Sequence, residues 1–449
     1  METKLTPLWA VLGVLSVLAT SVEAAGKQDL GLRINFGSCN NANLSQPLWP
    51  QIIERKPDAW IWGGDNIYAD WRPRKPQEWY RVWEEDSNRV LEALPLPPWY
   101  GASPEKLRFL YQKQLNIPSY KQFLDAVGRE NVYGLWDDHD FGINDGGKEY
   151  EFRKESQAEF LKFMGVPKDD PRWSREGVYT STLLANGRVK LFLLDNRYHR
   201  DPYSDTGDML GEEQWKWLEK ELAETNADFN IIMNGIQILP RMFLRSSRGE
   251  NWERMPKSRA RLMKTLQSSE ARGVFFLSGD VHMAELLSAN FTCENGNKFV
   301  LPELTSSGMT HSWKTYPAPM TWAMKCAHRI LPWQETMEFY LDLNFGELDF
   351  DKDFTKVTMR IYNANSSVQI EKTWHVDQLK PQTSFQSCQE VGFRGPAPSL
   401  TVQWLYVGLW FVTTLLPWLS ALSLVGLALS MLYQIFTRSS APVAKEKEN

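Results

Sequence analysis

Six times along this chain a short apolar run ends in a cluster of small or acidic polar residues. Leu32 to Phe36 precedes GSCN, Ala59 to Trp62 precedes GGDNIYAD, Val132 to Trp136 precedes DDHD, and Lys190 to Leu194 precedes DNRYHRD; Phe229 to Met233 precedes NGIQ, and Val274 to Leu277 precedes SGDVHMAE. Apolar runs of this length, bounded by turn residues, predict buried strands. Helical periodicity fills the intervals, at Gln77 to Glu92, Pro104 to Asn116, Tyr120 to Gly128, Lys148 to Met164 and Gly211 to Glu224. Alternation of this kind predicts a layered α/β domain, where ligands collect at the carboxyl ends of strands. The six polar clusters therefore point to one convergent site. Near the end of the domain, Lys356 to Tyr362 and Val368 to Trp374 alternate around NANSS and predict a β-hairpin that closes a sheet.

Both ends of the 449-residue chain predict membrane handling. Lys4, the apolar run Leu8 to Ala19 and the small residues around Ala24 read as a signal peptide over residues 1–24. No charged residue stands between Arg394 and Arg438, and Trp404 to Phe436 predicts one transmembrane helix, long enough to tilt or to kink at Pro417. The expected order is a lumenal or extracellular domain over 29–380, a linker over 381–403, the span over 404–436 and a cytosolic tail over 437–449. Lys445 and Lys447 in that tail resemble a dilysine retrieval signal, so the expectation is a single-pass type I protein of the endoplasmic reticulum or another secretory-pathway membrane. Asn43, Asn290 and Asn365 each head an Asn-x-Ser/Thr triplet, as suits a glycoprotein domain in that compartment. Of the four cysteines, at most one bridge is expected among Cys293, Cys326 and Cys388 if Cys39 has other work. A formal net charge of −5 gives no basic field and argues against a nucleic-acid partner.

Chemistry concentrates in four of the clusters. In GGDNIYAD, Asp65 offers a carboxylate able to bridge two cations, and Tyr68 a phenolate suited to a strongly Lewis-acidic metal. In WDDHDFGINDGG, Asp137, Asp138, His139 and Asp140 are contiguous and repel one another unless cations or donors compensate. An EF-hand is excluded there, because Gly142 falls where an oxygen-bearing side chain is required. Asp280 and His282 are two apart, which on a strand-like continuation places them on one face. Cys39 in FGSCN has two open readings, a packed or bridged cysteine and a metal ligand.

Together these motifs resemble the PhoD-like branch of the dinuclear metallophosphoesterases, related to the purple acid phosphatases. The resemblance rests on Gly64, Asp65 and Tyr68, on WDDHD at Trp136 to Asp140, on GDVH at Gly279 to His282, and on Asp195 with Arg197. It spans Phe36 to about Trp313. What it implies is a four-layer α-β-β-α sandwich and two or more metal ions. Asp65 would bridge them, with Cys39, Tyr68 and His282 on one ion, which suits iron(III), and Asp138 and Asp280 on the other, which suits calcium, manganese or magnesium. Either Asn234 or Gln237 would complete the second set, with Gln237 ranked first. His139 would contact the phosphate and protonate the leaving oxygen, and Arg197 would clamp the phosphate or form an ordinary ion pair. His199 and His311 are possible pocket-lining residues.

The implied reaction is phosphoester hydrolysis by a metal-bridging hydroxide. A phosphomonoester, or a lipid- or glycan-linked phosphodiester, would be the substrate. Two other readings are a non-catalytic metal-binding interaction protein on the same fold, and a hydrolase using Cys39 with a histidine. The latter lacks a nucleophile elbow or oxyanion loop near Cys39. Oligomeric state is not encoded in any of these features.

Overall fold

The computed structural model describes residues 30–71, 99–241, 250–316, 321–322, 325, 335–385, 387–395, 399, 401–402, 404–405, 408, 412 and 423–430. The chain divides into two compact units, Met1–Thr321 with Gln334–Pro396, and Trp322–Trp333 with Ala397–Asn449. The elements of the first unit are, in chain order, β1 (Leu30–Gly37), α1 (Trp49–Arg55), β2 (Ala59–Gly63), α2 (Pro104–Leu115), α3 (Pro118–Val127), β3 (Val132–Leu135), α4 (Asp138–Phe141) and α5 (Arg153–Met164). They continue with β4 (Thr180–Leu184), β5 (Val189–Leu193), α6 (Glu212–Ala223), β6 (Phe229–Met233), α7 (Pro256–Ser268), β7 (Val274–Ser278), β8 (Ala284–Cys293), β9 (Lys298–Ser306), β10 (Thr336–Tyr340), β11 (Asn344–Asp351), β12 (Lys356–Asn363), β13 (Val368–His375) and β14 (Cys388–Gly392). All six strands expected upstream of polar clusters are present, and the expected hairpin is β12–β13.

One sheet runs β13-β12-β11-β1-β2-β3 and the other β10-β8-β9-β7-β6-β5-β4, with β14 added to β8. β1, β2 and β3 are parallel, as are β5, β6, β7 and β9. The period of two decides which side each residue serves. In β2, Ala59 and Ile61 enter the core between the sheets, whereas Trp60 and Trp62 face α1, α2, α3 and α5. In β5 and β7, Leu191, Leu193, Phe275 and Leu277 face inward, while Phe192, Val274 and Phe276 meet Trp215, Leu218, Leu262 and Leu266 of α6 and α7. The order is helices, sheet, sheet, helices. The parallel strands that lead to the polar clusters are largely apolar, and the clusters stand at their carboxyl ends.

Several expectations change. The helix expected from Lys148 starts only at Arg153, because Tyr150 folds back to donate to Ala102 O at 2.5 Å and fills the space beside Gly142. The linker reading of 381–403 fails at its start: Phe385 is buried, Cys388 is bonded to Cys293, and β14 pairs with β8. The hairpin β8–β9 and the strands β10 and β11 were not foreseen. Their pattern is broken by buried Glu285, Glu303, Thr305 and Glu347, which hydrogen-bond inside the fold rather than face water.

The signal peptide (1–24) and the helix over 77–92 lie outside the described residues. So does most of the expected span. Residues 423–430 of the second unit are helical with exposed side chains, and among the described residues no helix is long and apolar enough to cross a membrane. Asn43 is exposed, and so is Asn365 at the β12–β13 turn; Asn290 is half-buried in β8 between β9 and β14.

Candidate metal centre

The loops after β1, β2, β3, β6 and β7 meet at one edge where the two sheets close on each other. A Cβ on Gly279 would stand 2.4 Å from Ser38 Oγ and 2.8 Å from Gly63 O, and one on Gly235 would stand 2.4 Å from Asp137 Oδ1. Only glycine permits that approach. The backbone is also bent at the side chains that converge: Cys39, Asp65, Asp280 and His282 have φ of 61°, 51°, 70° and 55°. Left-handed conformations cost non-glycine residues about 1–2 kcal/mol each, and such strain gathers where function fixes a side chain. Asp280 and His282 therefore do not continue a strand on one face, as the spacing suggested. They diverge into two donor groups.

In the first group, Cys39 Sγ, an Asp65 carboxylate oxygen and a His282 ring nitrogen lie within 4.8 Å of one another. Tyr68 joins them, its hydroxyl 2.9 Å from Asp65 Oδ2 and 3.2 Å from His282 Nε2. Ser307 braces the group, 2.9 Å from Cys39 Sγ and accepting from His282 N at 2.7 Å. Asp65 also belongs to the next group, with Asp138 and His139. Asp65 thus stands between Cys39 and His282 on one side and Asp138 on the other.

The second group joins Asp137, Asp138 and Asp280. Around it lie buried polar atoms without hydrogen-bond partners among the described residues: Asp137 Oδ2, Asn234 Oδ1 and both amide atoms of Asn196. Buried polar atoms are ordinarily paired, so orphaned oxygens beside three carboxylates are what a cation site presents. The two amides differ in setting. Gln237 Nε2 is anchored on Glu285 at 2.8 Å and Thr305 at 3.0 Å, while the Asn234 oxygen is sealed and unpaired. Asp145 and Glu250 also approach Asp138, but Glu250 is already neutralised by Arg197 at 2.6 Å.

His139 lies between the groups. Its Nδ1 is 2.7 Å from Asp70 Oδ1, whose other oxygen accepts from Asn144 N at 2.8 Å. Tyr68 covers one face at 4.2 Å between ring centroids, and Trp99 stands edge-on at 5.2 Å. The ring is held so that Nε2 is the nitrogen left for a reacting partner. Asp140, last in the WDDHD run, is structural: it accepts from the amides of Asp65, Asn66 and Asp137 and from Asn66 Nδ2. Arg197 is fully buried; Nε donates to Asp137 Oδ1 at 2.7 Å, and the two terminal nitrogens reach Glu250 at 3.0 and 2.6 Å. Its guanidinium is engaged inside the fold by Asp137 and Glu250.

The charges demand compensation. Burial, then Asp138, pushes the Asp65 carboxyl well up; burial does the same to Asp137, against the pull of Arg197, and to Asp280, helped by Glu250. Burial also raises the Cys39 thiol to about 12 and the Tyr68 phenol well above its usual range. A cation reverses each of these, since coordination favours the deprotonated ligand. His139 goes the other way: burial opposes its charge, but Asp138, Asp70 and Asp65 outweigh it and raise the imidazole well above its ordinary value. Burial, then His311, lowers His282 to about 3, so its imidazole is neutral as a ligand must be.

Sequence reasoning missed Asp70, Asn196, Asp145, Glu250 and Ser307. Asp70 and Asn196 sit inside motifs already singled out, two residues after Tyr68 and one before Arg197; for Glu250 no local signal existed. His311 is at the centre, 4.9 Å from the Tyr68 ring and 4.5 Å from His282. His199 is not; its Nε2 lies 3.8 Å from Glu176.

A model of PhoD-like phosphatases matches residues 34–361. A solved structure described as "Structure of PhoD" is similar at 16% sequence identity and a TM-score of 0.54, covering 84% of this chain and 75% of that one; at this identity the likeness concerns the fold. No curated protein matches the chain.

Proposed function

Because this chain belongs to the PhoD-like phosphatase family and is thereby a metal-dependent phosphoester hydrolase, we propose how its residues divide the work. Cys39, Tyr68 and His282 hold one ion and Asp138, Asp280 and Asn234 another, with Asp65 shared. Iron(III) suits the thiolate, phenolate and imidazole set, and calcium, manganese or magnesium the oxygen set. When bound, the ions supply positive charge to the phosphoryl group and to the attacking oxygen. The protein does the rest. Asp65 fixes the spacing of the two donor groups, Asp137 and Arg197 hold Asp138 and the loop after β3 in place, and His139 keeps a proton on the nitrogen facing the leaving oxygen.

The single observation that carries this reading is the His139–Asp70 pair, set beside Asp65, a carboxylate within reach of Cys39 and His282 on one hand and of Asp138 on the other. A non-catalytic metal protein has no use for a buried imidazole held protonated there. The thiol-nucleophile reading fares worse, since Cys39 is sealed from solvent and its thiol is pushed up to about 12 by burial.

The substrate proposed is a phosphodiester of a lipid or glycan, or else a phosphomonoester. Membrane tethering is proposed from the charge-free stretch between Arg394 and Arg438, and a lumenal domain from the Cys293–Cys388 bridge and the exposed Asn43 and Asn365 acceptors. The test is hydrolysis of a nitrophenyl phosphodiester and its monoester by the purified full-length protein. Turnover lost in Asp65→Asn and His139→Ala supports the assignment; equal turnover in both variants refutes it.

A further inference from the structure

Elsewhere this fold seals its indoles, Trp60, Trp62, Trp136 and Trp215 among them, but at the metal centre it does the opposite. Among the described residues of the first unit, two Trp or Tyr side chains are exposed, Trp71 at 46% and Tyr316 at 38%, and both stand at the rim of the centre. The other exposed large apolar side chains of that unit, Leu44, Phe109, Leu183, Val368 and Phe393, carry no side-chain polar atom. Trp71 follows Asp70, the partner of His139. Its backbone is fixed to Tyr100 by reciprocal hydrogen bonds of 3.1 and 2.8 Å, and the two rings stack at 4.7 Å, next to Trp99, which stands edge-on to His139. Tyr316 stands by the other imidazole. Trp313 N donates to His282 O at 3.0 Å and Trp313 Nε1 to Val281 O at 2.8 Å; Tyr316 N then donates to Trp313 O at 3.2 Å, which brings the tyrosine hydroxyl to 3.5 Å from His282 Nδ1. Tyr68, which touches both imidazoles, is half-buried like Asp280 and His282, so the centre opens to solvent along the same rim.

Trp and Tyr are the side chains that settle at bilayer interfaces, with the ring among the headgroups and the polar atom toward water. The chain connects this rim to the segment read as a tether. From Tyr316 it enters the second compact unit within six residues, at Trp322, and that unit also holds Ala397–Asn449 with most of the charge-free stretch. β14 ends at Gly392, twelve residues before Trp404, a leash of about 40 Å at full extension. A sugar ring stacks on one open aromatic face; two exposed rings on separate loops, one beside each imidazole, fit a surface. Resting on the hydrolase and tether readings above, we infer that Trp71 and Tyr316 dock the rim into the headgroup layer of the membrane that holds the protein, and that the substrate is a lipid phosphoester taken from that layer. Trp71 enters on the side where His139 meets the leaving oxygen, and Tyr316 on the side of Cys39, Tyr68 and His282.

The test places the full-length protein in phosphatidylcholine vesicles and follows nitrophenol release from two diesters, a phospholipid with a nitrophenyl headgroup in the bilayer and ethyl nitrophenyl phosphate in the water. The readout is the rate on the first divided by the rate on the second, with metal content and flotation with the vesicles measured on every sample. Trp71→Ser and Tyr316→Ser are each expected to lower that ratio roughly five-fold, the worth of half-burying a large aromatic ring. Trp71→Tyr, with another amphipathic ring, keeps most of it, and Leu183→Ser, 61% exposed on the edge strand β4, leaves it unchanged. Equal slowing on both esters in the two serine variants of the rim overturns the inference, because the rings then only support His139 and His282; so does a ratio that neither variant moves. A fall confined to a soluble sugar phosphodiester assayed alongside assigns the rings to a glycan and overturns it too. A wild type that cleaves the soluble ester but does not float with the vesicles removes the tether reading and this inference, and leaves the hydrolase reading standing. One that floats and is inert on both esters removes the hydrolase reading and this inference with it.

Discussion

Replacing Asp70 by Asn isolates what the carboxylate does for His139. Asp70 accepts two hydrogen bonds, from His139 Nδ1 at 2.7 Å and from Asn144 N at 2.8 Å, and its side chain is 1% exposed. An amide has one acceptor atom, so it serves only one of these donors and sets a donor against the other. Either the imidazole turns over its tautomer, or the Asn144 loop loses its tie. A hydrogen bond to a charged group is worth about 1.5–3 kcal/mol, which predicts a fall in kcat of roughly ten- to a hundred-fold if the protonated ring is what the transition state uses. The pH profile gives the direction independently. Although burial opposes it, the three carboxylates around His139 raise its pKa, so the protonated ring persists through neutrality and is lost as pH rises through the raised value. Asp70→Asn removes one of those charges and moves the alkaline limb of the kcat profile to lower pH, with metal content unchanged. A variant with wild-type kcat and an unmoved alkaline limb refutes the acid assignment for His139.

Arg197→Met leaves Asp137 and Glu250 buried without their cation, and thermal unfolding should show a loss of about 3–5 kcal/mol. Cys293→Ser frees β14 from β8 and reopens a loop whose ends are 95 residues apart; a loss of about 3 kcal/mol is expected, read as a lower Tm under non-reducing conditions only. Burial raises Glu303 to about 7, against the pull of the Leu239 and Ile238 amides. The native state then holds the extra proton between its unfolded value and about 7, so stability falls as pH rises through that window, and Glu303→Gln should flatten the slope in denaturant titrations.

The six parallel strands that precede the polar clusters were legible because each is largely apolar and stops at a turn-forming polar cluster. That Cys39, Asp65, Tyr68, Asp138, Asp280 and His282 come together was legible for the same reason, since chemistry at strand ends stays compact in sequence. What was hidden depends on contacts between distant segments. Glu250, 53 positions from Arg197, has no local pattern to announce it. That Glu285 and Thr305, from β8 and β9, hold the Gln237 amide has no local signal either. The same buried polar residues erased the alternation of β8 and β9, and β14 looked like a linker because its pairing and its disulfide partner lie on a strand nearly a hundred residues away.

The most direct test of the central claim is metal analysis of the purified full-length protein, coupled to phosphoester hydrolysis before chelation, after it, and after metal is returned. Two or more ions per chain, iron among them, with activity lost on chelation and regained on addition, is the predicted result; Cys39→Ser should lower iron and leave the second metal. A protein stripped of all metal that hydrolyses the ester at an undiminished rate would contradict the account.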